Sequence, residues 1–474
     1  FPVDPASLDA VVITHAHLDH CGYLPRLVQQ GFSGPAYVTY DTGKLMSVVL
    51  PDSGRLLEEE AGYANKKGFS RHSPALALYS EDDAWTALER LHTVGFDEPF
   101  TPADGIEVTF RPAGHILGSA TTRIRIGEVT LVTSGDLGRN QHPFLQPPAP
   151  IGEADWVMIE STYGDRLHDS EQAVEQLADV IARTAERGGV VVIPAFAVDR
   201  TEVVLFHLRR LAAAGRLPDI PVYVDSPMAL AGLTIYRAAL ADEAADVRAD
   251  CRGHGNILDL PNLEDVVDTE GSKRVSRRNG SAVIIAGAGM ASGGRVVHHL
   301  ARFLPDARNS VALVGFQAEG TRGRQLLEGA TSLKIHGQYV RVRAEMCDLT
   351  GFSVHADSDE LYGDGADTGH TFLFSLNDDY VIDANQQGNS ARWINHGCAP
   401  NCEAVVDEDE GADRRRDRVF IESIRDIRAG EELTYNYGIV LGVPHTRAMK
   451  QVWACRCGAP QCTGTMLQPK RRRG

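Results

Sequence analysis

Between Ile13 and Gly22 the chain reads ITHAHLDHCG, which places His15, His17, Asp19 and His20 within six positions, directly after the apolar run AVVI. A lone histidine is usually a satisfied core or surface residue. Imidazoles and a carboxylate at H-x-H-x-D-H spacing, released together from the carboxyl end of a strand, can instead aim at one point. These donors suit zinc. Two further segments extend the set: GHILGSA offers His115 in a glycine-flanked turn, and VTSGDLGR offers Asp136 at a strand end. The chemistry such a set supports is metal-assisted hydrolysis.

The elements that must position these residues follow from patterning. From Val11 to about Gly138, short apolar runs such as AVVI, AYVT and VTLVT alternate with helix-like stretches such as KLMSVVLPDSGRLLEEEAGYANKKG. That texture is α/β. From Trp156 to about Leu327 the alternation is regular, with WVMIE, VVVIPA, PVYVDS, AVIIAG and VALVG separated by amphipathic segments. Such continuous β-branched runs predict buried parallel strands. After Leu361 the texture changes to short strands, turns and the loop DEDEGADRRRDR, and a boundary is expected near Tyr362.

Bulk properties narrow the function. A chain of 474 residues suggests about three domains, and 43% hydrophobic with 23% charged residues describes a soluble globular protein. No apolar run approaches bilayer-spanning length and no signal peptide is visible, so no membrane partner is expected. The net charge of -17 argues against delivery to nucleic acid by bulk electrostatics. Any RNA contact must be local. The basic groups Lys273, Arg274, Arg277 and Arg278, and the tail Lys470 to Arg473, are read as solvated loop charge. Cys21, Cys251 and Cys347 are scattered, whereas Cys398, Cys402, Cys455, Cys457 and Cys462 crowd the end of the chain, a pattern that points to metal more than disulfides and fits a reducing cytoplasm.

Taken together, the H-x-H-x-D-H run, His115 and Asp136 resemble the metallo-β-lactamase family, and the resemblance implies two zinc ions bridged by Asp136. IESTYGDR, IPAFAVDRTEVV, VDSPMA, AGAGMASGGRVVHHL, GFQAEGTRGRQLLEG and GFSVHADSDEL are similar to the β-CASP branch, the RNA-cutting nucleases. The implied fold is an αββα sandwich over 1–155, an inserted parallel α/β domain over 156–330, and a return to the first domain over 331–361. One departure is Asp199, where glycine is expected. A hydroxide held between two zinc ions is a nucleophile at neutral pH, and the metals offset charge growing on the phosphorus. By resemblance, Asp19 belongs to the catalytic set, and Glu160 with His355 would protonate the leaving oxygen, a task that suits a carboxylate-supported imidazolium. The backbone amides of Ser292, Gly293 and Gly294, with Arg295, would approach an RNA phosphate.

The family's last zinc-binding histidine ends an apolar strand in His-Gly. TFLFSLNDDYVID has none, and His370 begins a strand instead of ending one. The opening strands expected before FPVDP are also missing. One zinc would therefore keep His15, His17 and His115, the second only Asp19, His20 and the bridging Asp136, so weakened nuclease activity is expected.

From about residue 364 the chain is similar to another family, the SET-domain lysine methyltransferases, through GNSARWINHGCAPNCEA, RVFIESIRDIRAGEELTYNYG and WACRCGAPQCTGTML. The resemblance implies a mainly-β domain, partial because its cofactor-receiving strand is not found upstream. CRCGAPQC is C-x-C-x4-C, and Cys398 would complete an all-thiolate zinc with Cys455, Cys457 and Cys462. Asn395 and His396 would touch S-adenosylmethionine, Tyr437 would orient a substrate lysine of a protein, and Tyr435 would tune the number of methyls added. Each domain breaks inside its own core, so the junction is not expected to be one made between whole domains. Three functions follow: a zinc-dependent RNA nuclease, a protein-lysine methyltransferase, and a non-catalytic RNA-binding chimera.

Overall fold

The computed structural model describes residues 1–68, 70–164, 170–254, 256–357, 360–361, 373–375, 381–383, 394–407, 418–428, 430–439, 450, 453–455 and 457–467. The expected boundary near Tyr362, His370 and the basic tail Lys470 to Arg473 lie outside the described residues. The chain divides into two compact units, Phe1–Asp357 and Ser358–Gly474.

The first unit opens with three short parallel strands, Val11–Val12, Ala36–Thr39 and Leu91–Val94, in register Val11 to Ala36 and Ala36 to Leu91. The helix Tyr40–Lys67 follows directly on the second strand, started by the Thr39 hydroxyl accepting from the Thr42 amide and stopped by Gly68 at φ 66°. A five-stranded sheet then runs in the order Pro99–Ala103, Ile106–Pro112, Ala120–Ile126, Val129–Thr133, Trp156–Met158. Its first four strands are antiparallel neighbours, whereas Trp156–Met158 adds parallel to Val129–Thr133. The segment from 156, expected in the inserted domain, therefore still belongs to this sheet. It forms an exposed edge, with Trp156 69% and Met158 65% accessible.

A six-stranded, wholly parallel sheet follows in the order Leu263–Asp265, Val222–Asp225, Ala282–Ala286, Val190–Pro194, Ser310–Leu313, Glu345–Asp348. The strands Val190–Pro194, Ala282–Ala286 and Ser310–Leu313 are buried at every position, as β-branched runs covered on both faces must be. The helix Ser170–Glu186 leads into the first of these strands in chain order, and Arg200–Ala213, Pro227–Ala241 and Gly294–Phe303 lie between later ones. Glu345–Asp348 is a member of this sheet, so residues expected to have left it at 331 remain in it until Asp348. The chain rejoins the first layer at His355, which bridges Gly138.

The second unit consists of short paired strands: Leu373–Ser375 with Val381–Asp383, Cys402–Asp407 with Arg418–Ser423, and the parallel pair Asn395–His396 with Thr434–Tyr435. Among the described residues no helix is long and apolar enough to cross a membrane.

Candidate metal centre and cleft

The donors of the first unit come from five backbone segments that hold one another. The strand Val11–Val12 ends and the chain turns through Thr14 to His17, which caps the short helix Leu18–Cys21. The Ile13 amide donates to the Tyr37 carbonyl at 3.0 Å, and the Thr14 carbonyl accepts from the Ala120 amide at 2.9 Å, so both flanks of the histidine run are pinned. The Asp136 loop is held from either side: Gly138 donates to the Ala113 carbonyl and Ala356 to the Leu137 carbonyl, each at 2.8 Å. Gly138 is required here, because a Cβ would fall 1.7 Å from the Gly114 carbonyl oxygen. This close approach brings the His115 and Asp136 loops together.

The result is a convergent donor set. One ligand atom from each of His15, His17, His115 and Asp136 lies within 4.8 Å of every other. His17 Nδ1 is 3.1 Å from His15 Nε2 and 3.2 Å from His115 Nε2. Asp136 Oδ2 is 3.5 Å from both of those Nε2 atoms. Burial pushes the His17 and His115 imidazoles well below their ordinary range, and neighbouring imidazoles push further in the same direction. Burial lowers His15 as well. Burial opposes the charge of Asp136, yet bonding to His15 and His20 outweighs it and holds the carboxylate far below its usual range. Three neutral imidazoles and one ionised carboxylate are the protonation states that coordination needs.

His20 and Asp19 are arranged less tightly. His20 Nε2 lies 3.3 Å from Asp136 Oδ1 and 3.6 Å from Asp19 Oδ2, but the Asp19 side chain is 79% exposed and joins none of the convergent groups among the described residues. Although burial works against the His20 cation, the Asp136 carboxylate raises it overall. On the other side, Asp136, Glu160 and His355 form a second convergent group. His355 Nδ1 is 3.1 Å from each Glu160 oxygen, and His355 Nε2 is 3.9 Å from Asp136 Oδ2. Glu160 is fixed in turn by the Leu137 amide, which donates to Oε1 at 2.5 Å.

A cleft of about 490 Å³ opens over these groups, lined by His17, Asp19, His115, Asp136 and His355 from the first layer and by Phe196, Arg200, Met228 and Met290 from the parallel-sheet layer. Its size and mixed walls suit a nucleotide-sized ligand. The second layer also supports the His115 turn. Gly118 donates to Asp246 Oδ2 at 2.6 Å, and Leu117 donates to the Tyr236 hydroxyl at 3.0 Å. Tyr236 donates onward to Asp199 Oδ1 at 2.8 Å, and Asp199 Oδ2 is 3.2 Å from His142 Nε2. Sequence spacing offered no signal for Tyr236, Asp246 or His142, which act from far along the chain. For Asp199 there was one, the missing glycine: its φ of 70° is the left-handed conformation that favours glycine.

The expected phosphate loop lies differently. Ser292 lines a separate hollow with Thr321, Arg322 and Lys334. Arg295 does not face the metal cleft: it bonds Asp225 at 2.7 Å and the Val266 carbonyl at 2.9 Å. Gly293 precedes the helix Gly294–Phe303 without a side-chain cap. In the basic helix Thr269–Arg277, Lys273 pairs with Glu270 at 2.7 Å, which fits solvated charge.

In the second unit the sulfurs of Cys398, Cys455, Cys457 and Cys462 lie within 4.8 Å of one another, with Cys398 Sγ 3.6 Å from Cys455 Sγ and 3.9 Å from Cys462 Sγ. Thiolates on a tetrahedral zinc, bonded at ~2.3 Å, sit roughly 3.8 Å apart, so the spacing fits. Backbone amides of Cys398 and Ala459 hold the Cys457 thiol down at about 6, whereas burial pushes Cys455 up to about 12. The eight cysteines are all free. The Tyr435 and Tyr437 rings are 4.9 Å apart, and the Tyr437 hydroxyl donates to the Ile394 carbonyl at 2.9 Å. The His396 ring is 5.3 Å from that of Tyr437, and Asn395 donates to Glu432 at 2.7 Å.

Comparison with known proteins sets this geometry among relatives. A beta-lactamase superfamily domain matches residues 2–192, a Beta-Casp domain 201–326 and a SET domain 315–438. Residues 315–357 of the last match lie in the first unit, where Glu345–Asp348 pairs with Ser310–Leu313. The chain is 36% identical over 362 residues to Ribonuclease TTHA0252 of Thermus thermophilus, covering 76% of this chain and 79% of that protein. It is 33% identical to Transcription termination factor FttA of Methanocaldococcus jannaschii, of which it spans 55%, and 29% identical to an RNase J-like protein of the same organism, of which it spans 78%.

Proposed function

This chain belongs to the β-CASP family of the metallo-β-lactamase superfamily, and on that premise we propose that it is a zinc-dependent RNA phosphodiester hydrolase acting in the cleft between its two α/β layers. The observation that carries the reading is the meeting of His15, His17, His115 and Asp136 within 4.8 Å. Imidazole nitrogens facing one another cannot all satisfy each other as neutral groups, whereas a divalent cation satisfies them together. These four residues would hold it. When bound, the cation supplies Lewis acidity and a water of lowered pKa.

The chain's own groups do the rest. Asp19, at the solvent edge of the cleft, accepts a proton from the attacking water. The Glu160 carboxylate orients His355 through Nδ1, and His355 passes a proton from Nε2 to the oxygen that leaves when the P–O bond breaks. Phe196, Met228 and Met290 offer apolar surface to a base while His355 and Asp136 face the phosphate. A second cation would have His20, Asp19 and a share of Asp136, and the exposure of Asp19 makes that position the weaker one. Full-length protein should contain tightly bound zinc and cleave labelled RNA in a chelator-sensitive way. RNA affinity without metal-dependent cleavage would select the binding-only alternative.

A second reading, lysine methylation of a protein from S-adenosylmethionine, is favoured by the SET-domain match and the four-cysteine cluster. In it Cys398, Cys455, Cys457 and Cys462 hold a structural zinc, Asn395 and His396 meet the cofactor, and Tyr435 and Tyr437 face the amine. Transfer of a labelled methyl group to protein tests it. Eight free thiols suit a reducing cytoplasm.

A further inference from the structure

Arg200 opens the helix Arg200–Ala213 and is only 4% exposed. Its Nε and Nη1 have no hydrogen-bond partner. The adjacent carboxylate, Asp199, is bonded to Tyr236 and faces His142. Glu202, two positions along the helix, is no counter-ion either: burial pushes its carboxyl well above the usual range, and the Asp199 charge pushes it further. Burial likewise works against the Arg200 cation. A dehydrated, unpaired guanidinium is costly to keep unless something else entering the site is meant to meet it.

The surroundings say what that is. Arg200 lines the same cleft as His17, His115, Asp136 and His355, and among the described lining residues it is the one Arg or Lys. Gly315 packs beside it: a Cβ there would lie 3.7 Å from Arg200 Nε, an ordinary van der Waals contact. A planar cation at the wall of the cleft that holds the candidate metal donors fits a phosphate oxygen pair.

We propose that Arg200 anchors a backbone phosphate of the RNA lying in the cleft, next to the bond that is cut. The assignment rests on reading the cleft as the RNA-cleaving site. The test uses the zinc-loaded full chain and its R200M and R200K variants, with two probes, inorganic phosphate followed by thermal shift and a non-cleavable 2′-O-methyl oligoribonucleotide followed by direct binding across a salt series. R200M should bind the oligonucleotide at least tenfold more weakly with a salt slope smaller by about one unit, and lose the phosphate-induced shift. R200K should fall between R200M and the unsubstituted chain. Zinc content should be unchanged, and the midpoint of R200M without ligand should equal or exceed that of the unsubstituted protein, since an unpaired buried charge has been removed. A purely structural arginine predicts the opposite midpoint change. R200M that binds both probes normally, or that fails to fold, overturns the assignment. If the unsubstituted chain shows an Arg200-dependent phosphate shift yet never cleaves RNA, only the hydrolase reading falls; if it binds neither probe, both fall.

Discussion

His355 Nδ1 stands 3.1 Å from both carboxylate oxygens of Glu160, although the two residues are 195 positions apart. The pair bridges the return segment to the end of the edge strand, and Asp136 lies just beyond it. A carboxylate shared evenly by one imidazole nitrogen fixes the ring and leaves Nε2 to face the cleft. H355A and E160Q should therefore lower the turnover of RNA cleavage by roughly 10²- to 10⁴-fold while leaving substrate affinity near normal. Single-turnover cleavage with labelled RNA, read beside zinc content, measures this. Loss of zinc in H355A would instead make His355 a ligand.

The two donor clusters predict separable metals. H17A removes the histidine that lies between His15 and His115 and should lower bound zinc by about one equivalent per chain with loss of cleavage. C457S with C462S should remove a different equivalent and leave cleavage intact. Elemental analysis of the two variants, alone and combined, is the measurement. Additive losses fit independent sites, and no loss from the cysteine variant would show that its sulfurs hold no metal.

The candidate metal donors share one signal in the sequence, because coordination imposes local spacing: H-x-H-x-D-H is visible in six residues, and Gly114 and Gly138 mark the turns that carry His115 and Asp136. The groups that steady those side chains left no such trace. Tyr236 reaches Leu117 across 119 positions and Asp246 reaches Gly118 across 128, and nothing in either local sequence singles them out. Strand allegiance failed for a similar reason. WVM is apolar and β-prone wherever it pairs, and only the register with Leu131 to Thr133 assigns it to the first sheet. Arg295 lay in a glycine-rich run that reads as a phosphate loop, but Asp225, 70 positions away, claims its guanidinium.

Asp246 gives a pH signature. Its Oδ2 accepts from Gly118, its Oδ1 has no partner, and burial pushes the carboxyl up to about 6 despite that bond. The folded protein thus holds a proton on Asp246 that the unfolded chain releases near pH 4, so this residue makes stability fall as pH rises from about 4 to about 6 and contributes no slope above. D246N keeps an acceptor for Gly118 and cannot ionise. It should match the unsubstituted protein at pH 4 and exceed it above pH 6, by at most ~3 kcal/mol given two units of displacement. Urea unfolding of both proteins across that range, compared by difference, isolates the residue from the histidines. A constant difference across the range would contradict it.

Asp199 sets two physical effects against each other. Its φ of 70° and ψ of -50°, with the Arg200 amide donating to the Val198 carbonyl at 3.0 Å, form a tight positive-φ γ-turn that is strained for an L-residue. D199G would relieve about 1 kcal/mol of that strain. It would also strand the buried Tyr236 hydroxyl and His142 ring without their acceptor, at about 1–3 kcal/mol for each group left unsatisfied. The second effect is larger, so D199G should be the less stable protein, whereas D199N, which tolerates positive φ and keeps an acceptor for Tyr236, should stay close to the unsubstituted chain. Because Tyr236 also receives the Leu117 amide, loosening it should reach the His115 turn, and D199G should release zinc to a competing chelator faster than D199N does. Thermal midpoints and chelator kinetics on the two variants decide the matter: a D199G protein more stable than D199N would mean that the strain, not the lost acceptor, governs this turn.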